Sequence, residues 1–206
     1  NLANMHGSTG EFEKAEIFIK NAIEIGENVF GSDHHMVGVF LNNLAMLNLI
    51  QGNFDNAAPL FKRVKTILKA TFGENHLSIA ICLNNLGTVY LNQDKINHAD
   101  KAINKAHEIL EKVHEKNSPQ TAGVYHNIAS VRQRKGDYEA ALKYYFKVLE
   151  IEKESLGENH PNSAITWSNI AVVYSLQEKN HDAEEIFKKS LAIFEDSLGP
   201  NHPYTV

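Results

Sequence analysis

The chain has 206 residues with 20 basic and 25 acidic side chains, a formal net charge of −5. Hydrophobic residues make up 43% and charged residues 22%, the balance of an ordinary folded chain. Net acidity with only three arginines, Arg63, Arg132 and Arg134, argues against a phosphate-tracking surface, so neither nucleic acid nor a membrane is an expected partner.

Cys82 is the single cysteine, which excludes an internal disulfide and a cysteine-built metal site. No Asn-x-Ser/Thr sequon occurs, and no apolar run approaches the roughly 18 residues of a membrane span. A cytoplasmic location is the expectation. The chain opens at Asn1 without a methionine or a signal-like segment, and reads as part of a longer polypeptide.

In chain order, a partial unit covers 1–33, four complete units cover 34–75, 76–117, 118–159 and 160–201, and a stub covers 202–206, all one array. Asn1-Leu2-Ala3 fits the end of a motif that appears whole as Leu41-Asn42-Asn43-Leu44-Ala45. The motif returns as Leu83-Asn84-Asn85-Leu86-Gly87, Tyr125-His126-Asn127-Ile128-Ala129 and Trp167-Ser168-Asn169-Ile170-Ala171, each 42 residues on. Ala15, Ala57, Ala99, Ala141 and Ala183 share one column, and Ile25, Ile67, Ile109, Ile151 and Ile193 another. No insertion or deletion interrupts the register.

Each unit reads as two helices. Apolar residues from Leu83 to Leu91 recur at spacings of three and four, one helical face. A break follows at Gly10, Gly52 and Gly136, where glycine can supply a left-handed cap. Ala57, Leu60, Phe61, Val64 and Ile67 mark the second helix, which ends at Phe72-Gly73 or Leu156-Gly157. His160-Pro161 opens the next unit, with proline where its missing N–H costs nothing. The spacing predicts helices over 34–51, 53–72, 76–93, 95–114, 118–135, 137–156, 160–177 and 179–198, with no strands. Small residues in the Ala45 and Ala57 columns let helix axes approach to roughly 8–10 Å. One such pair cannot bury its apolar stripe alone, so the units must stack as a solenoid.

Asn-Leu-Ala, then Gly-x-Phe/Tyr-x-x-Ala, then an aromatic four residues on, resembles the tetratricopeptide repeat. The 42-residue step with Leu-Gly-x-x-His-Pro is similar to the long-helix variety of kinesin light chains. The resemblance covers essentially the whole chain. It implies an all-α, right-handed superhelical solenoid of stacked antiparallel helix pairs, serving as an adaptor or scaffold for protein binding. The fourth unit departs from the pattern, with Glu115-Lys116-Asn117-Ser118-Pro119 at its opening junction.

Eleven histidines raise the question of a metal. His34, His76, His160 and His202 share one column, but equivalent positions on adjacent units lie roughly 8–10 Å apart, too far for one zinc ion. Helix capping and turn packing is the reading for that column, and no metal is assigned. His6-Gly7-Ser8-Thr9-Gly10 lacks the leading glycine and the strand of a nucleophile elbow, and phosphate-loop and dinucleotide motifs are absent. Cys82 shares its column with Phe40, Val124 and Thr166 and is expected to pack. No catalytic residue and no cofactor are expected, so the chain is read as non-enzymatic.

Asparagine carries the functional signal. Asn43, Asn85, Asn127 and Asn169 hold one phase of every first helix, although asparagine is a mediocre helix former. The resemblance implies that this column faces a concave groove and hydrogen-bonds the backbone of a bound peptide. The alternative is that the amides brace neighbouring helices. The same resemblance places Val39, Asn42, Met46, Leu49 and Ile50 on the inner face, then Ile81, Asn84, Thr88 and Leu91. The fourth unit contributes Gly123, His126, Ser130, Gln133 and Arg134, and the fifth Ile165, Ser168, Val172, Ser175 and Leu176. The expected ligand is a protein or peptide segment of about nine to twelve residues, at roughly three per repeat. Its apolar anchors would lie near Met46 and Leu91, with Leu49 also among the peptide-binding residues, and an acidic residue would meet Arg134. A rigid structural subunit of a large assembly, or the sensor region of a multidomain signalling protein, is the alternative.

Overall fold

A computed structural model describes residues 9–113 and 116–199. Among these every regular element is a helix: α1 (Thr9–Phe30), α2 (His35–Ile50), α3 (Phe54–Phe72), α4 (Leu77–Asn92), α5 (Ile96–Lys112), α6 (Pro119–Arg134), α7 (Tyr138–Leu156), α8 (Pro161–Leu176) and α9 (Asn180–Leu198). Helix ends fall within two residues of those expected from the repeat. The expected opening Asn1-Leu2-Ala3 and the stub 202–206 lie outside the described residues. The chain divides into two compact units, Asn1–Ile109 and Leu110–Val206, the division falling inside α5.

The first helix of each pair starts on a side-chain cap. Nδ1 of His34, His76 and His160 accepts the backbone N–H two residues on, from Met36 at 3.3 Å, Ser78 at 3.2 Å and Asn162 at 3.1 Å. This answers one of the four N–H groups that a helix start leaves without a partner. Two of these rings also stack on the phenylalanine that ends the preceding helix, His34 on Phe30 and His76 on Phe72. At the divergent junction Ser118 takes the same role, its Oγ accepting from Thr121 N–H at 3.2 Å. The cap survives the loss of the histidine.

First helices end in the six-to-one closure of a Schellman turn. Asn53, Lys95, Asp137 and Lys179 donate their N–H to the carbonyls of Asn48, Tyr90, Arg132 and Tyr174. The residue before each donor takes a left-handed backbone: Gly52 at φ 75°, Asp94 at 57°, Gly136 at 79° and Glu178 at 61°. Glycine reaches that region without a Cβ clash, whereas Asp94 and Glu178 hold it under tertiary constraint. Gly10, expected at a break, is a correction: it lies in the first turn of α1. Glycine occupies right-handed helix as readily as the left-handed region, so its presence alone does not force a turn.

In the first unit α2 packs between α1 and α3, and α4 packs on α3; in the second, α7 packs between α6 and α8, and α8 pairs with α9. The alanine column is sealed from Ala57 to Ala183, and Ile67, Ile109, Ile151 and Ile193 are buried beside it. Ile25 in the same column is 63% exposed. In the second unit Ala129, Ala141, Tyr145, Ile170 and Val173 form one core, with Trp167 and Tyr174 of α8 packed against it.

Candidate functional site

Four positions at spacings of four, three and four make one partly exposed stripe along each first helix. On α2 these are Val39, Asn43, Met46 and Ile50, and on α8 Ile165, Asn169, Val172 and Leu176; none is buried. Each of these two stripes is an asparagine set among large apolar side chains. On α4 the stripe is Ile81, Asn85, Thr88 and Asn92, and on α6 Gly123, Asn127, Ser130 and Arg134, both more polar.

Most members of the neighbouring columns, also expected on the inner face, are buried or half-buried, while Ser175 on α8 stands exposed. Leu91 is only 6% exposed and belongs to the core, so it offers no anchor surface; Leu49, its equivalent on α2, is half-buried. Gln133 in that column accepts the hydroxyl of Tyr145 at 3.2 Å. Asn42 and Asn84 are half-buried, and the later members of their column face inward. His126 sets its ring edge-on to Tyr145 with centroids 5.5 Å apart, and Ser168 Oγ lies 2.8 Å from Ser190 Oγ. The reason is angular: successive helix residues are about 100° apart, so when His126 and Ser168 meet the second helices their neighbours Asn127 and Asn169 are turned away from those contacts.

The asparagine column divides by environment. Asn43 and Asn169 are half-buried, and their amides make no hydrogen bond among the described residues. Asn85 Nδ2 donates to the Met46 thioether at 3.4 Å, linking α4 to α2 across 39 residues of chain. A thioether is a weak acceptor, so a stronger one can displace it. Asn127 is half-buried and has a partner of its own. Arg134 stands exposed in the last turn of α6, where it and Arg132 complement the negative end of the helix dipole.

Tyr145 went unanticipated as the hub of the second unit. It is 1% exposed, and its hydroxyl lies 3.3 Å from Ser130 Oγ as well as bonding Gln133. Burial raises the phenol pKa and lowers that of His126, so this polar cluster stays neutral and adds rigidity beneath the α6 stripe. Only the 15-residue separation between Ser130 and Tyr145, across a turn, brings it about, and no local spacing announces it. Cys82 is buried with its Sγ donating to the Phe61 carbonyl at 3.3 Å, and burial pushes the thiol up to about 12. Such a thiol is a poor nucleophile. Among the described residues no three His, Cys, Asp or Glu side chains gather as a metal would require, and no helix is long and apolar enough to cross a membrane.

The tetratricopeptide repeat family model matches residues 1–67, 37–112, 120–196 and 163–206. No curated protein matches the chain. Among solved structures, BtubC (BKLC) from P. vanneervenii superposes with a TM-score of 0.76 at 22% identity, over 94% of this chain and 77% of that one. A Podosopora anserina protein of nearly identical, kinesin-light-chain TPR-like repeats gives 0.73 at 19% identity, over 92% and 89%. The apo form of RapI gives 0.75 at 16%, over 91% and 65%. At these identities the likeness is one of fold: an all-helical repeat solenoid.

Proposed function

The chain belongs to the tetratricopeptide repeat family, a family of non-catalytic modules for protein–protein interaction and scaffolding, and from that premise we propose that the asparagine-bearing stripes of its first helices hold a peptide segment of a partner protein. The observation that carries the reading is the state of Asn43 and Asn169. Each places an amide that makes no hydrogen bond among the described residues beside half-exposed apolar side chains, where asparagine does little for the helix and its donors and acceptor remain available to a ligand. An amide offers one acceptor and two donors, enough to bond both the N–H and the C=O of an extended or short helical ligand. Val39, Met46 and Ile50 in the first unit, and Ile165, Val172 and Leu176 in the second, supply apolar contact on either side of the amide. Arg134 adds a cationic end to the α6 stripe, suited to an acidic ligand residue. Nothing in this arrangement brings a nucleophile and a base together, and the chain is read as an adaptor, not an enzyme.

The test is calorimetry with a peptide selected from an unbiased display library. Asn43→Ala with Asn85→Ala, and separately Asn127→Ala with Asn169→Ala, should each strand ligand backbone groups at about 1–3 kcal/mol apiece. Affinity for whichever unit holds the peptide falls at least tenfold, with melting little changed. Arg134→Glu should weaken binding and flatten its salt dependence. The Asn85–Met46 bond favours a second reading, in which the column braces stacked first helices of a rigid scaffold. Normal binding by both pairs of variants, or loss of fold in either, would decide for the scaffold.

A further inference from the structure

The joint between α7 and α8, inside the second unit, is built differently at its two ends. At one end Ala141 and Tyr145 of α7 share a buried apolar core with Ile170 and Val173 of α8. Nearer the connecting turn that packing divides: Val148 and Ile151 of α7 pack with Ala122 of α6, and Ala164 of α8 packs with Ile193 and Phe194 of α9. The buried contact that crosses from α7 to α8 there is polar. Glu152, Ser163 and Thr166 are 9%, 2% and 1% exposed, and Glu152 Oε2 accepts the Thr166 hydroxyl at 3.1 Å. In the first unit the corresponding joint, α3 against α4, carries Leu68, Ile79 and Cys82 at the same three positions.

This polar seam satisfies itself poorly. The single hydroxyl proton of Thr166 serves both Glu152 and the Asn162 carbonyl, the latter at 3.3 Å. Ser163 Oγ, turned to the same carboxyl, completes no hydrogen bond. Glu152 has no ion pair among the described residues, and burial raises its carboxyl pKa. A carboxyl held this way gives up hydration that its protein partners do not fully replace, and recovers it when the helices part. The all-apolar joint of the first unit has nothing to gain from water at those positions.

We infer that the α7–α8 joint is a pivot: the apolar core at Ala141, Tyr145, Ile170 and Val173 holds while the seam at Glu152, Ser163 and Thr166 opens to water. The short link from Leu156 to Pro161 keeps that opening small. Because α6 packs on α7, each opening shifts α8 against α6 and changes the spacing of their two stripes. The pivot stands whether or not those stripes hold a peptide, and its failure would leave the peptide-binding proposal untouched.

Cys82 is a built-in reporter for the apolar joint, and Thr166→Cys puts the same residue at the equivalent position of the seam. The probe is N-ethylmaleimide in excess on the intact folded chain, with each thiol's labelling followed by mass-spectrometric mapping. Position 166 should label about tenfold faster than Cys82 or more, since only its joint opens locally. Val173→Cys, on the same helix at the clamped end, should label no faster than Cys82, which separates opening of the seam from loss of α8 as a whole. Ser163→Cys, which keeps the Thr166 contact, should label as fast as Thr166→Cys. Adding Glu152→Leu and Ser163→Ile to Thr166→Cys restores the side chains of the first joint and should slow position 166 to the rate of Cys82. Removing a neighbouring carboxylate makes a thiol more reactive, so slower labelling there reports a closed joint. Equal rates at positions 166 and 173, seam labelling no faster than that of Cys82, or a rate unmoved by the apolar pair would each overturn the inference.

Discussion

Gly87 sits where the other units carry Ala45, Ala129 and Ala171, and Gly87→Ala, a change toward the repeat's own consensus, should destabilise the protein. A Cβ built at Gly87 falls 2.3 Å from Cγ1 and 2.9 Å from Cδ1 of Ile103, distances that packed atoms do not tolerate. Ile103 is buried, so it cannot swing into solvent. The equivalents of Ile103 are Phe61, Tyr145 and Phe187, which carry one γ carbon, whereas isoleucine carries two. Overpacking of this kind costs typically about 1–3 kcal/mol, and a clash this close belongs at the upper end. Alanine recovers about 1 kcal/mol of helix propensity over glycine. The net loss should be about 2 kcal/mol, read as a lowered urea midpoint of the circular-dichroism transition at unchanged slope. Ile103→Phe removes the second γ carbon, so the double variant Gly87→Ala/Ile103→Phe should regain most of that loss, a coupling of about 2 kcal/mol. If Gly87→Ala instead raises the midpoint, or the two changes simply add, the steric argument is wrong.

Left-handed backbones and buried titratable groups can be probed in the same way. Glu178→Gly relieves a left-handed backbone at φ 61° and should stabilise by about 0.5–1 kcal/mol in urea melts, with Asp94→Gly gaining less because aspartate tolerates that region better; a loss in both would mean that their side chains matter more than their backbones. Stability against pH should carry two opposite signatures: burial raises Glu152 above 4.5, so its contribution is full below pH 4.5 and is lost as pH rises through the folded value, whereas burial lowers His126 below 6.5, so its contribution is full above pH 6.5 and is lost as pH falls toward the folded value. Glu152→Gln, which keeps an acceptor for the Thr166 hydroxyl, should therefore raise the melting temperature at pH 7 and lose that gain below pH 4.5. His126→Asn should flatten the slope below pH 6.5; profiles parallel to the unmodified protein would remove both assignments.

Much of this architecture is legible one residue at a time, because it rests on short-range physics repeated at a constant step. Helix ends show in the sequence because caps are local: His76 and Ser118 each reach an N–H two or three residues ahead. Gly52 and Gly136 mark Schellman turns for the same reason, and the alanine column marks close helix approach. The family resemblance also narrows the expected inner-face residues to one side of each first helix. There it stops, since adjacent columns such as 42 and 43 carry the same asparagine in two units and differ only by about 100° of rotation.

Which column looks outward was decided by the second helices. Tyr145 draws His126 and Gln133 inward, Ser190 draws Ser168, and the core takes Leu91, leaving Asn43, Met46 and Asn169 on the accessible side. The contact between Asn85 and Met46 and the clash that keeps position 87 glycine are likewise products of packing. Sequence determined the helices, their caps and their 42-residue register, because each depends on neighbours within a turn or two. Tertiary structure alone decided which faces of the first helices remain exposed, because exposure depends on what has already been buried from elsewhere in the chain.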